Sequence, residues 1–355
     1  MAGSEAGASS RGAHRHRLNP NLPSGDWIRN LNDRSRNALG SLSAISSRLT
    51  WRHQDAAKPG EAALARDDED KGQRVVGTGS FGTVRVVRRA LPGSDKKQRL
   101  ALKEFRRQRS LTPEKYRKQV AAEFSIANSL QHHNIVRAFE LFENSQGVFC
   151  QTMELCAGGD IGSLLLFAGY LEEAVADCLF KQLLHGVEYL HQKGVAHCDI
   201  KPENLLLTKQ GTVKITDFGC SECFRLDWEE ENHRITGRRG SMAYMPPEEY
   251  TDESFDGPGV DVWACGIVYL TLRTGRHPWY IAREQHDEDY ASYLKNRRLE
   301  DGHAPIEALE PPSCRIVVYS MLDPVPTRRI TIQQILDSAW VKDIELCAAG
   351  RLPAT

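Results

Sequence analysis

The chain of 355 residues has no cysteine before Cys150, no excess of either charge and no long apolar run, and each absence narrows what it can be. Lys and Arg number 46 against 47 Asp and Glu, so no bulk field points to nucleic acid or to a membrane. No window approaches the ~20 apolar residues that a membrane span requires. "RGAHRHRLNPN" breaks the apolar core that a secretory leader would need. The nine cysteines stand in apolar or motif-like segments rather than at framework spacings, which predicts reduced thiols in a cytoplasmic protein. No internal repeat is visible. With 40% hydrophobic and 26% charged residues, what remains is an ordinary globular composition, long enough for one large domain or two lobes plus a tail.

Residues 1–70 are poor in aromatics and rich in Ser, Arg, Asn, Gly and Ala, which predicts a disordered tail. Within it Trp27, Ile28, Leu31, Leu39, Leu42, Ile45 and Leu49 recur at roughly helical spacing among Arg29, Arg34, Arg36 and Arg48. One reading is a basic amphipathic helix that docks on a partner or an anionic membrane surface. The other is a weak helix formed only transiently, because Gly and Ser interrupt its face.

From Gly72 the pattern changes. "RVVGTGSFGTVRVVRR" and "RLALKEFRR" read as β-branched strands joined by glycine-rich turns. "LTPEKYRKQVAAEFSIANSL" reads as a helix capped by Thr112, with Pro113 in its first turn and Val120, Phe124, Ala127 and Leu130 on one face. "GVFCQTMEL" is a further strand, and beyond Gly159 the pattern is mainly helical. The expectation is an α+β chain with a small strand-rich lobe before a larger helical one, joined through "ELCAGG".

Three groups of residues carry chemistry. Gly77, Thr78, Gly79, Ser80, Phe81, Gly82, Thr83 and Val84 fit G-x-G-x-x-G-x-V, a turn whose backbone N–H groups can meet phosphate oxygens. A strand follows rather than a helix, which excludes the dinucleotide-binding version of the motif. Lys103 lies on the next strand, where alternation is expected to set it apart from Leu100, Leu102 and Phe105. Glu123, the acid in the middle of the helix, can pair with it and hold its ammonium on nucleotide phosphates. "GVAHCDIKPENLLL" then supplies Asp199, Lys201 and Asn204 on one loop, and "KITDFG" supplies Asp217. A carboxylate to take a hydroxyl proton, a cation beside a transferred phosphoryl group and two oxygen ligands for hard Mg²⁺ are what phosphoryl transfer from ATP requires. Any one piece could be surface decoration; all of them in this order are not expected by chance.

With these residues in view, the chain from about 72 to 343 resembles a eukaryotic-type Ser/Thr protein kinase. "MPPEEY" resembles the end of an activation segment, with Pro246 where Ala is usual, and "DVWACG" the buried helix that anchors the catalytic loop. Arg329 is expected to pair with Glu248. "KITDFGCSECFRLDWE", "DVWACGIVYLTLRTGRHPW" and "SMLDPVPTRRIT" are similar to fungal kinases of the halotolerance and nitrogen-permease-reactivator group, which regulate transporters and permeases. The resemblance implies a bilobal kinase fold with a tail 1–70, an N-lobe 71–155, a C-lobe 156–343 and a short C-terminal tail 344–355. It implies ATP and Mg²⁺ as cofactors, with Asn204 and Asp217 as metal ligands. Ala101, Met153, Glu154, Cys156, Asp160 and Leu206 join the glycine-rich turn and Lys103 around the nucleotide, the hinge backbone running from Glu154 to Cys156. It further implies a monomer acting on protein substrates, with Glu203 and Asp160 placed to read an Arg or Lys upstream of the acceptor hydroxyl. Thr271 stands where strongly basophilic relatives carry another acid.

One position departs from the pattern. Cys198 stands before Asp199 where the family has an arginine that gathers a phosphate on the activation segment. A neutral thiol cannot do that, so activity is expected not to depend on phosphorylation of that segment, in which Thr236 is the hydroxyl most open to modification. Two alternatives stay open: a pseudokinase serving as an interaction module, and a redox role for Cys198 with the C-S-E-C pair Cys220 and Cys223.

Overall fold

The structure, a computed structural model, describes residues 64–66, 75–79, 82–90, 97–107 and 111–351. The amphipathic positions Trp27 to Leu49 therefore lie outside the described residues, as do Ser80 and Phe81 of the glycine-rich turn.

The first lobe is an antiparallel sheet with a helix against it. Strands β1 (Leu64–Arg66), β2 (Val75–Gly79), β3 (Gly82–Ala90) and β4 (Lys97–Phe105) precede helix α1 (Pro113–Ser129), and β5 (Ala138–Glu143) and β6 (Phe149–Glu154) follow it. The order is β1-β3-β4-β6-β5, with β2 also paired to β3. Strand β1 falls inside the stretch expected to be disordered tail; for these three residues the outer edge of β3 offers unpaired backbone groups, and pairing prevails. Gly82 is needed for a close approach, since a Cβ there would sit 2.1 Å from the Glu104 carbonyl oxygen. Helix α1 begins as its sequence predicts. The Thr112 hydroxyl oxygen accepts the Lys115 N–H at 3.3 Å, Pro113 follows, and Val120, Glu123 and Ala127 are buried.

The second lobe is built around helices α2 (Ile161–Ala168), α3 (Glu173–Gln192) and α5 (Gly257–Thr274). Between α3 and α5 run three two-stranded ribbons, α4 (Glu248–Thr251) and the loops that carry the candidate site. The ribbons are β7 (Val195–Ala196) with β10 (Glu222–Cys223), β8 (Leu205–Leu207) with β9 (Val213–Ile215), and β11 (Ile235–Thr236) with β12 (Ser254–Phe255). Helices α6 (Glu288–Asn296), α7 (Ala304–Glu307), α8 (Ser313–Met321), α9 (Ile332–Asp337) and α10 (Ala339–Asp343) complete the lobe. One apolar core joins α3, α5 and α8, with Phe180, Trp263, Tyr269, Trp279, Tyr293 and Trp340 among its large side chains. Residues beyond α10 pack back on this core: the Ala349 carbonyl accepts the Thr212 hydroxyl, and the Cys347 N–H reaches Cys178 Sγ. Among the described residues no helix is long and apolar enough to cross a membrane.

The ion pair expected between Glu248 and Arg329 is present, two-pronged, at 2.6 and 3.0 Å. The Arg329 side chain is fully buried, and it also donates to the carbonyls of Asp323 and Gly259. It thereby ties α4 to the start of α5 and the loop after α8. Removing the carboxylate alone would strand a buried guanidinium, a loss of about 3–5 kcal/mol. Glu248→Ala should accordingly lower the thermal midpoint by roughly 10 °C, read by calorimetry. A fall of under ~2 °C would show that the pair is not a structural tie.

Candidate active site

Strand β4 decides where Lys103 points. Its burial alternates so that Ala101, Lys103 and Phe105 share a face, and the Lys103 ammonium lies 5.0 Å from the Phe105 ring centroid. This corrects the expectation that Phe105 faces away from Lys103: the two are two residues apart, which in a strand means the same side. From this face Lys103 Nζ donates to Glu123 Oε1 of α1 at 2.6 Å and to Asp217 Oδ1 at 2.8 Å. Burial opposes the charge on Lys103, but Asp217 and Glu123 outweigh it and hold the ammonium above the ordinary lysine range. Burial likewise opposes ionisation of Asp217, yet Lys103 keeps its carboxyl below the usual value. Glu123 goes the other way, raised by burial, because two acids share one cation.

The second cluster lies on the loop 197–204 between β7 and β8. Asp199 is buried, and three side chains bind its carboxylate. Lys201 Nζ donates to Oδ2 at 2.8 Å, Asn204 Nδ2 to Oδ2 at 3.1 Å, and Ser241 Oγ to Oδ1 at 2.9 Å. Lys201 also donates to Ser241 Oγ at 2.7 Å, closing a triangle with Asp199. Sequence reading passed over Ser241, which lies 42 positions away in a stretch with no chemical signature of its own.

The loop is fastened from two sides. His197 Nδ1 accepts the Asp199 N–H at 3.2 Å, so its Nε2 carries the proton and donates to the Thr216 carbonyl at 3.0 Å. From α5, Asp261 accepts the backbone N–H groups of His197 at 2.9 Å and Cys198 at 2.8 Å. Cys198 is held at φ 60°, a left-handed conformation rare for a residue with a side chain, and Asp217 at φ 67°.

Cys198 itself sits in an apolar cluster with Ala196, Phe224, Ile235, Phe255 and Val260, and Cys220 packs against it. Burial pushes the Cys198 thiol well above its ordinary value, Cys220 up to about 12, and Cys223 upward. Thiolate character, which peroxide chemistry needs, is opposed at all three.

Several of the predicted nucleotide residues gather in a second apolar cluster, where Val84, Ala101, Met153, Cys156 and Leu206 pack together with Leu155 of the hinge and with Val136, a position the sequence did not single out. Val84 pairs with Lys103 across β3 and β4, and Ala101 with Met153 across β4 and β6. Gly77, Thr78 and Gly79 end β2 opposite Gly82, Thr83 and Val84 of β3. Below them a small cavity is lined by Lys103, Glu123, Val136, Met153, Asp217 and Phe218. In the hinge, Glu154 pairs with Lys214 at 2.8 Å. Burial pushes the Cys156 thiol up to about 12. Asp160 caps α2, with both oxygens engaged by Ser163 at 2.7 Å. A Cβ on Gly162 would lie 3.1 Å from Asp160 Oδ1 and 3.2 Å from Glu203 Cγ, so the two acids flank one glycine. Thr271 is buried and its hydroxyl donates to the Ile267 carbonyl, so it presents neither charge nor free donor there.

The segment after Asp217 returns to the site through Arg239. Its guanidinium pairs with Glu222 and donates to the Thr236 carbonyl at 2.7 Å, while its N–H donates to Glu249 Oε2 at 3.2 Å. The next residue, Gly240, has φ +92°, and a Cβ there would lie 2.4 Å from the Cys198 carbonyl oxygen. Only glycine permits this contact between segment and loop.

Glu249 is 2% exposed, and burial raises its carboxyl from 4.5 to about 8. The folded chain then holds a proton that the unfolded chain releases, so between these two values stability falls as pH rises, by at most about 1.4 kcal/mol per pH unit. Glu249→Gln removes that titration. Its thermal midpoint should decline less than the wild type's between pH 5.5 and 8.5, and parallel declines would rule the buried acid out as the cause.

Residues 71–341 match the family described as protein kinase domain. The chain is 50% identical over 279 residues to the serine/threonine-protein kinase hal4 of Schizosaccharomyces pombe, a match spanning 78% of this chain and 44% of that protein. It is also 50% identical over 283 residues to the serine/threonine-protein kinase HAL4/SAT4 of Saccharomyces cerevisiae, 79% of this chain and 47% of that one. Identity to the serine/threonine-protein kinase HAL5 of Candida glabrata is 34% over 328 residues, 78% of this chain and 40% of that one. These matches span less than half of each relative's length.

Proposed function

Because the chain belongs to the protein kinase domain family, we propose that it is an active, Mg²⁺- and ATP-dependent serine/threonine protein kinase. The observation that carries this reading is the double cluster: Lys103 bound to both Glu123 and Asp217, and Asp199 bound to Lys201, Asn204 and Ser241. A scaffold with a kinase fold and no transfer would have no need to keep both clusters assembled.

The donor set fits a magnesium ion. The Asn204 amide NH₂ is committed to Asp199, which leaves its oxygen as a ligand, and Asp217 adds a carboxylate. Two hard oxygens are too few to hold an ion alone, and Mg²⁺ is commonly bound by one or two protein oxygens together with phosphates and water. When bound, it neutralises charge on the phosphate oxygens. The chain's own residues do the rest. Lys103, oriented by Glu123, holds nucleotide phosphates under the turn from Gly77 to Val84. The apolar cluster around Ala101, Met153 and Leu206 takes the base, with the backbone of Glu154 to Cys156 at its edge and Asp160 toward the ribose. Asp199 orients the substrate hydroxyl and accepts its proton, while Lys201 sets a cation beside the transferred group.

In this reading residues 71–155 form the lobe that holds the phosphates and most of the base, while 156–343 add Cys156, Asp160, Leu206 and the metal ligands and receive the protein substrate. Asp160 and Glu203, side by side at Gly162, support an Arg or Lys upstream of the acceptor. The regulation of transporters or permeases by a cytoplasmic monomer follows from the resemblance to the fungal group. Independence from segment phosphorylation is supported by the Cys198 cluster and the Arg239–Glu222 pair, which already tie the segment down.

Asp199→Ala and Lys103→Met should each lower kcat by roughly a thousandfold or more in a radiolabelled ATP assay on generic peptides, a loss of several kcal/mol of transition-state stabilisation. ATP binding without transfer by the wild-type protein would establish the scaffold reading instead. Thr236→Ala should leave kcat within about threefold, less than the tenfold that ~1.4 kcal/mol gives. A hundredfold loss would mean that a phosphate on Thr236 orders the segment after all.

A further inference from the structure

Beside Asp199 lies a cationic patch that the transfer chemistry does not use. It starts at Ser241, which is bonded to Asp199. The next residue, Met242, is 65% exposed, and its carbonyl accepts the Tyr250 hydroxyl at 3.2 Å. Two arginines bracket the Tyr250 ring: Arg238 at 5.8 Å and Arg283 at 5.9 Å from its centroid. The loop that carries Arg283 is fixed to the same segment, because His277 packs edge-on against Tyr244 at 5.1 Å. Tyr280 on that loop is 78% exposed. Arg238 and Met242, both exposed, and Arg283, partly exposed, therefore border Tyr250.

Neither arginine forms an ion pair among the described residues. Three of the acids nearby are otherwise engaged, and Glu284, exposed beside Arg283, forms no ion pair with either arginine. Asp287 accepts the N–H groups of Tyr280, Ile281 and Tyr290, and Glu248 is locked to Arg329. Glu249, the acid whose charge is felt by Tyr250, is buried, bonded to the Arg239 N–H and held near 8. Two guanidiniums that stack on a ring and keep their N–H forks unpaired suit a carboxylate.

The distance fits a peptide. Gly240 touches the Cys198 carbonyl, and Arg238 is two residues earlier in the chain, so its Cα is at most about 7 Å further on. With the reach of its side chain, that is the span of one to three extended residues from the acceptor. Resting on the reading of Asp199 as the site of transfer to peptides, we infer that Arg238 and Arg283 select a substrate with Asp or Glu within about three residues C-terminal to the acceptor hydroxyl. Together with Glu203 and Asp160, they make the site complementary to a peptide that is basic before the acceptor and acidic after it.

The test uses the full chain and serine peptides that carry Glu, Ala or Lys at each of the three positions after the acceptor. Both kcat/KM and the dissociation constant are measured, the latter by fluorescence anisotropy. Glu should exceed Ala by roughly five- to tenfold at one of these positions, mainly through KM, and the gap should shrink at high salt. Arg238→Glu with Arg283→Glu should invert the order so that Lys exceeds Glu. The single variants Arg238→Gln and Arg283→Gln should each remove part of the preference, which guards against a misfolded double variant. A wild-type preference within twofold, or one that survives in all the variants, overturns the assignment. Absence of transfer to every peptide, with acidic peptides still bound more tightly and that preference lost in the variants, would sink the kinase reading and leave the patch as assigned. Equal binding of all peptides would sink the patch whatever the activity.

Discussion

The Asp261 carboxylate is the contact on which the site depends. It is fully buried within α5, where an ionised acid is costly unless its oxygens are occupied. Here the partners are the backbone N–H groups of His197 and Cys198, with His191 Nε2 at 2.9 Å. Backbone donors cannot rotate away, so one side chain of a rigid helix sets the conformation of the loop. That accounts for Cys198 at φ 60°: the strain of a left-handed residue, of order 1–3 kcal/mol, is offset by two charge-assisted hydrogen bonds. The turn at Cys198 then places Asp199 under Ser241, Lys201 and Asn204.

Lys103 plays the corresponding part between the lobes. Strand β4, helix α1 and the loop after β9 each contribute one member of the Lys103–Glu123–Asp217 cluster. The shared cation makes their positions interdependent, since withdrawing either acid removes one of the two carboxylates that hold the buried ammonium. Nearby, β3, β4 and β6 place Val84, Ala101 and Met153 in register, so an apolar slot opens beside the charged cluster. The order of the strands, more than any single residue, sets the apolar cluster and the charged cluster side by side.

How much of this was legible in sequence follows from the range of each interaction. The Thr112 cap, the burial of Glu123 in α1 and the grouping of Asp199, Lys201 and Asn204 are local and were readable from spacing. The pairing of Glu248 with Arg329 spans 81 positions and was legible only through the resemblance. Phe105 was misplaced because alternation was applied to the apolar residues as one group, although a residue two positions from Lys103 shares its face. Ser241 and the Arg239–Glu222 pair were invisible for another reason: each joins two segments whose proximity exists only once α5 and the ribbons have packed. Serine and arginine in a polar stretch carry no periodicity from which such a meeting could be inferred.

Cys198 shows how one substitution reorganises its surroundings. An arginine at this position would need a carboxylate or phosphate in reach, because an unpaired buried guanidinium is unfavourable. The thiol instead completes a small apolar cluster that joins the loop, through Ala196 and Cys198, to Ile235 of β11, Phe255 of β12 and Val260 of α5. Apolar burial needs neither a counter-charge nor a modification, so this tie is present in the unmodified chain. The polar half of the junction is supplied by Arg239 of the segment itself, which finds its anion in Glu222. The cation of this junction thus lies on the segment, and its counter-charge is a permanent carboxylate. The junction between loop and segment rests on an apolar cluster and one carboxylate pair, while Arg238 of the same segment stays exposed and outside any ion pair among the described residues.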